Sequence, residues 1–178
     1  MPNRITDPSY SIEIVSDEFT DSPREWDNVS TIVCWHRNYI LGDEQLDTRY
    51  TEDEIMEKYD NILAIEPVYI YDHSGITINT TGFSCSWDSG LVGWAFITKD
   101  NLELMGLEHF ANDPAKLSEI IRGEVATYDQ YLRGEIYAYV VKDSSGEVVD
   151  SCGGYYGRDE CEESAKDSLH FHLMSKVA

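Results

Sequence analysis

The chain has 178 residues, with 34 acidic and 13 basic side chains and a formal charge of −21 at pH 7. Hydrophobic residues at 42% and aromatics at 12% are too many for a disordered acidic tail, and the length suffices to close a substantial core. The charge excludes a protein drawn electrostatically to nucleic acid or to an anionic membrane, since both would repel it.

Local pattern gives the elements in order. Ser11 to Val15 is β-branched and reads as a strand, broken by Asp21-Ser22-Pro23-Arg24-Glu25 because proline denies a ladder donor. A second strand is expected over residues 31–36, with Ile32, Cys34 and His36 on one face and Val33 and Trp35 on the other. Thr51 with Glu54 three residues on is the pattern of a capping box, which predicts a short helix from Thr51 to Tyr59. Residues 68–71 and 76–80 form a hairpin across Asp72-His73-Ser74-Gly75, and residues 91–98 form a further strand in which Trp94 and Phe96 share a face.

Asp113 then caps a long helix ending near Gly134, with Leu117, Ile120, Ile121, Val125, Tyr128 and Leu132 as its apolar stripe. A second hairpin pairs residues 135–142 with 147–151. A final amphipathic helix from about Arg158 to Ser175 sets Ala165, Leu169 and Leu173 on one side. About seven strands and four helices, with hairpins dominating, predict an α+β fold with a mainly antiparallel sheet. No Pro/Ser/Gly linker and no internal repeat divides the chain, so one domain is expected over residues 1–178: a leader and first strand (1–16), an acidic pole (17–60) and a hairpin-and-helix core (61–178).

The start at Met1-Pro2-Asn3-Arg4 shows no signal-peptide apolar region, and no run approaches the roughly 20 apolar residues of a bilayer span. The expected setting is a cytoplasm, with Cys34, Cys85, Cys152 and Cys161 as reduced thiols. A Cys152–Cys161 bridge lies within geometric reach but is out of keeping with that compartment.

Chemistry could gather in residues 82–90, where Phe83, Cys85, Trp87 and Asp88 share one loop. An enzyme reading makes Cys85 the nucleophile, His73 or His36 its base, and Asp88 or Asp72 the orienting group. The surrounding negative charge opposes a thiolate, and the competing reading is a structural connection with Phe83 and Trp87 buried and Asp88-Ser89-Gly90 as a turn. Cys34 and His36 on one strand face could share a metal, but two ligands are not a site. Completion would need His73, Cys85 or a carboxylate. His170 and His172 sit two apart on a helix and diverge. There is no phosphate-binding, dinucleotide, zinc-protease, hydrolase or EF-hand motif, and neither a metal nor a cofactor is expected.

Charge distribution is the discriminating feature. Residues 17–60 carry net −9, against −6 over residues 61–142 and −5 over residues 143–178. A domain of this length is about 40 Å across, and 40 Å of duplex DNA carries about 24 phosphate charges. The whole-chain charge is of that size, as a nucleic-acid mimic requires. Adaptation to salt or plain solubility would also produce it.

Residues 21–28 (Asp-Ser-Pro-Arg-Glu-Trp-Asp-Asn), Cys34-Trp35-His36-Arg37, Leu41-Gly42-Asp43-Glu44, Asp72-His73-Ser74-Gly75, residues 83–90, and Tyr128-Asp129-Gln130-Tyr131-Leu132 followed by Gly134 carry a resemblance. Over residues 17–157 the chain resembles a family of small acidic proteins, of no established activity, borne by phages and mobile elements. The resemblance implies a virus of a prokaryote or an integrated element, a setting in which small acidic proteins are often counter-defence factors.

The expectation is a non-catalytic binding protein that inhibits a host nucleic-acid-handling complex, such as a CRISPR effector or a restriction enzyme. Its acidic face would comprise Asp43, Glu44, Asp47, Glu52, Asp53, Glu54 and Glu57. It would engage a host protein with a basic groove, in an infected cell's cytoplasm, and touch neither nucleic acid nor membrane directly. The alternatives are a small hydrolase or transferase built on Cys85, His73 and Asp88, and a virion or regulatory accessory.

Overall fold

The computed structural model describes residues 5–7, 9–18 and 20–175. The first four residues of the expected leader lie outside them. The fold is α+β with mainly antiparallel strands and four α-helices, as the patterning predicts, but the strands form two sheets where one was expected. Two compact units share the chain, residues 1–21 with 134–178, and residues 22–133. The breaks fall between Asp21 and Ser22 and between Arg133 and Gly134, whose φ of +66° suits the residue that leaves a helix.

The first unit holds a sheet of order β1-β2-β8-β9, built from Ile5–Asp7, Tyr10–Ser16, Ile136–Asp143 and Val148–Tyr156, all antiparallel. Helix α4 (Arg158–Ser175) covers it, burying Cys161, Ala165 and Leu169 against Ile12, Ile14, Tyr139 and Val141. Asp150 ties this unit together, accepting hydrogen bonds from Ser168 Oγ, from Tyr139 Oη (3.2 Å) and from Ser151 N (2.8 Å).

The Ser168 bond, with the others, holds the Asp150 carboxyl below its usual range. A depressed carboxylate stabilises the fold above its unfolded pKa and loses that contribution as pH falls through the folded one. Asp150→Asn is therefore expected to lower urea stability at pH 7 by about 1 kcal/mol, allowing for solvent screening. The difference from the parent should shrink toward pH 3.

The second unit holds a sheet of order β4-β3-β7-β5-β6, from Glu44–Gln45, Thr31–Cys34, Ser89–Thr98, Ile62–Asp72 and Ile76–Asn79. Only the β3–β4 pair is parallel. Both faces are buried. Ile32, Cys34, Val68, Ala95 and Ile97 pack with Leu117, Ile121 and Val125 of α3 (Pro114–Leu132) and Leu102 of α2 (Lys99–Leu104). Val33, Trp94 and Phe96 pack on the other side with Ile55 of α1 (Glu52–Lys58).

The face assignments of Ile32, Cys34, Val33, Trp94 and Phe96 thus hold, and the capping box at Thr51 and Glu54 is present. β5 begins earlier than the pattern predicts and runs through Pro67. That is tolerated because β6 covers β5 only from Tyr69 onward, leaving one side of Pro67 unpaired. At the outer edge, Asp129 of α3 accepts from Ile78 N (2.7 Å) and Thr77 Oγ1 (2.6 Å), so a helix side chain takes the strand's outward donor.

Candidate functional site

Asp43, at the start of the expected acidic face, is exposed yet bonded into the fold. Gly42 adopts φ +73°, where a Cβ would fall 2.5 Å from Ile32 O, so only glycine allows this approach. The turn presents Asp43 to Arg24, which bonds both carboxylate oxygens through Nε (2.9 Å) and Nη2 (2.6 Å), and to Ile32 N (2.7 Å). The Arg24 side chain is 6% exposed and also donates to Ser30 O at 2.7 Å. Its Nη1 lies 3.5 Å from Glu124 of α3, whose carboxylate takes Val29 N (2.8 Å), Ser30 N (3.0 Å) and Ser30 Oγ.

Two further members of that face are also committed internally. Glu44 accepts from Tyr59 Oη at 2.8 Å and lies 3.6 Å from Lys58, while burial, with Glu44 adding to it, holds the Tyr59 hydroxyl firmly protonated. Glu54 closes the capping box on Thr51, and the Thr51 backbone bond lowers its carboxyl below the usual range. Asp47, Glu52, Asp53 and Glu57 are exposed, and their side chains make no ion pair or hydrogen bond among the described residues. Of the seven expected members, these four are the ones whose carboxylates carry no internal bond among the described residues, while Asp43 and Glu54 are exposed but bonded.

The loop between β6 and β7 brings part of the expected triad together. His73 Nδ1 lies 3.3 Å from Asp88, with the side chains 64% and 41% exposed. Tyr71 stacks on His73 at 6.0 Å and packs on Phe83 at 5.7 Å. Cys85 joins neither residue. Its carbonyl accepts from Ser89 Oγ, its thiol makes no hydrogen bond among the described residues, and the adjacent hollow of about 500 Å³ is lined by Tyr69, Phe83, Ser84, Ser86 and Ser89 rather than by Cys85. Asp72, the alternative orienting group, accepts from Tyr39 Oη at 3.4 Å.

Trp87, expected to be buried, is 93% exposed, and Phe83 is half-buried. The loop is held by short-range bonds from backbone amides to a side chain, Thr81 N and Gly82 N donating to Asn79 Oδ1, and needs no indole in a core.

The expected strand over residues 31–36 stops at Cys34. His36 lies beyond it, its Nδ1 accepting from Asn38 N and Tyr39 N at 3.2 Å each, so a turn takes the place of the strand and Cys34 and His36 do not share a face. Burial, reinforced by Asp43, pushes the Cys34 thiol up to about 12, and burial pushes Cys161 up to about 11. Both are neutral thiols at pH 7, poor nucleophiles and poor metal ligands. All four cysteines are free, and no group of three or more His, Cys, Asp or Glu among the described residues could hold a metal ion. No described helix is long and apolar enough to cross a membrane.

Comparison with protein-family models, with curated proteins and with solved structures returns no match.

Proposed function

We propose that this chain is a non-catalytic acidic binding protein, borne by a phage or mobile element, that occupies the basic nucleic-acid-binding groove of a host defence complex in the infected cell's cytoplasm. A CRISPR effector or a restriction enzyme has the required surface. One observation carries the reading. Every described arginine and lysine other than Arg37, Arg49 and Lys166 lies within ion-pair distance of a carboxylate. Cations are thereby drawn into local pairs, and the acids in excess, Asp47, Glu52, Asp53 and Glu57 among them, dominate the field that a partner meets.

Affinity capture from a host lysate with the full chain as bait tests this, with bound proteins read by mass spectrometry across a salt series. The expected result is a nuclease complex whose retention falls steeply between about 0.05 and 0.5 M salt, as screening shortens the Debye length. Retention that ignores salt would overturn the electrostatic reading.

The His73–Asp88 pair favours a second reading, a cysteine-dependent hydrolase or transferase, in which Cys85 would have to swing toward His73. Cys85→Ser discriminates the two. Partner capture by the folded variant is expected to stay within about twofold of the parent, because a half-buried thiol outside the acidic face contributes nothing to it. Loss of function in a Cys85→Ser protein of unchanged thermal stability would favour the enzyme.

A further inference from the structure

Against helix α3 lies a groove of about 330 Å³, formed within residues 22–133 by Pro23, Trp26, Asp27, Ile120, Gly123 and Glu124. It exists because Gly123 stands mid-helix with nothing within 4 Å of the place its Cβ would take. Glycine is a poor helix former, so the hollow is kept at a cost in local helix stability.

Its walls are fixed. Ser22 caps the short 3-10 turn Pro23–Glu25, and Asn28 Nδ2 ties the loop by donating to Pro23 O (2.8 Å) and Trp26 O (2.9 Å). One wall is the indole of Trp26, 49% exposed, with Pro23 and Ile120 extending the apolar surface. Asn28 and Thr127 also line the groove, but both donate to backbone carbonyls, to Pro23 O and Trp26 O and to Gly123 O, and the charged groups are carboxylates. Asp27 is exposed and makes no ion pair among the described residues. Glu124 Oε1 takes a single donor, Val29 N at 2.8 Å, which leaves it accepting capacity. No cation lines the groove.

We propose that this groove receives an arginine side chain from a partner protein. A guanidinium is flat and weakly hydrated, stacks on indole, and forks onto carboxylates, while its methylene stem lies along an apolar wall. Trp26, Asp27, Glu124 and Ile120 supply those three contacts together. An aliphatic side chain would leave Asp27 without a counter-charge, and an anion would be repelled. The inference rests on the basic-partner reading for the partner's identity, and it adds a specific anchor to a field that by itself only attracts.

Titration of the full, isotope-labelled chain with acetyl-Gly-Arg-Gly-amide, followed by NMR, tests it. Saturable shifts of the Trp26 indole N–H and the Gly123 amide are expected, with a midpoint in the low millimolar range. The neutral citrulline peptide should bind at least about tenfold more weakly. Gly123→Leu should fill the hollow and abolish the response without loss of thermal stability, since leucine is the better helix former and its Cβ meets nothing within 4 Å. Should that variant unfold, Asp27→Asn, which is exposed and changes only charge, should weaken binding several-fold.

Equal response to the citrulline peptide, full binding by folded Gly123→Leu, or no shift by about 50 mM peptide would overturn the proposal. None of these depends on lysate capture. Capture with a silent groove removes the anchor alone, and peptide binding with no basic complex captured supports the groove while removing the proposed partner.

Discussion

Reversing Asp47, Glu52, Asp53 and Glu57 to lysine is expected to weaken binding to a captured basic partner by roughly a hundredfold, mainly through slower association. These acids are exposed and free of internal bonds among the described residues, so the change falls on the surface and not on the fold. Rim charges contribute well under the roughly 2–5 kcal/mol of desolvated pairs, but four acting together reach the ~2.7 kcal/mol that a hundredfold requires. Asp159, Glu160, Glu163 and Asp167, also exposed, form the control and change the total charge equally. Each set has two acids in a helix first turn, Glu52 and Asp53 in α1 and Asp159 and Glu160 in α4, so the lost helix-dipole stabilisation is matched. Surface plasmon resonance would separate the rates. Equal losses from both sets would refute a localised surface, and no loss from either would remove electrostatics from the mechanism.

Arg24→Ala is expected to lower stability by about 3–5 kcal/mol, a large fraction of a total of the order of 5–15 kcal/mol. The Arg24 side chain is 6% exposed and meets Asp43, Glu124 and Ser30 O, so truncation takes the counter-charge from two carboxylates. Arg24→Lys keeps the charge but cannot fork onto Asp43, and should recover only part of the loss. Urea unfolding followed by tryptophan fluorescence would measure both. A shift below about 1 kcal/mol for Arg24→Ala would mean the network is not structural.

What was legible in the sequence was local. Thr51 and Glu54 announce α1 because a capping box is closed by residues three apart, and the stripe from Leu117 to Leu132 announces α3 because helical spacing repeats within one segment. The internal pairing of Asp43 was not legible. Its partner Arg24 lies 19 positions away, and Arg24 reaches Glu124 across 100. Trp87 failed differently, because bulk and hydrophobicity say nothing of whether a loop turns its ring inward. His36 was misplaced by pattern alone, since its acceptance of two amide protons within three residues is turn chemistry that alternation cannot reveal. His73 and Asp88 were only one of the combinations the sequence offered, and the β5–β7 pairing, which runs out to Tyr71↔Ser89, is what brings them together.

The Arg24–Glu124 contact also bears on the order in which the chain assembles. Strands β2 and β8 pair from Tyr10↔Asp143 to Ser16↔Tyr137, so more than a hundred residues intervene before the ladder can begin. Closing a loop that long from an unfolded chain costs more than closing a short one, with each doubling adding about 0.6 kcal/mol. Once residues 22–133 fold, Arg24 and Glu124 stand 3.5 Å apart and the effective gap shrinks to about 20 residues, some 1.6 kcal/mol cheaper to close. A nascent chain would complete the inserted unit first and zip the outer sheet last, when α4 emerges to cover it.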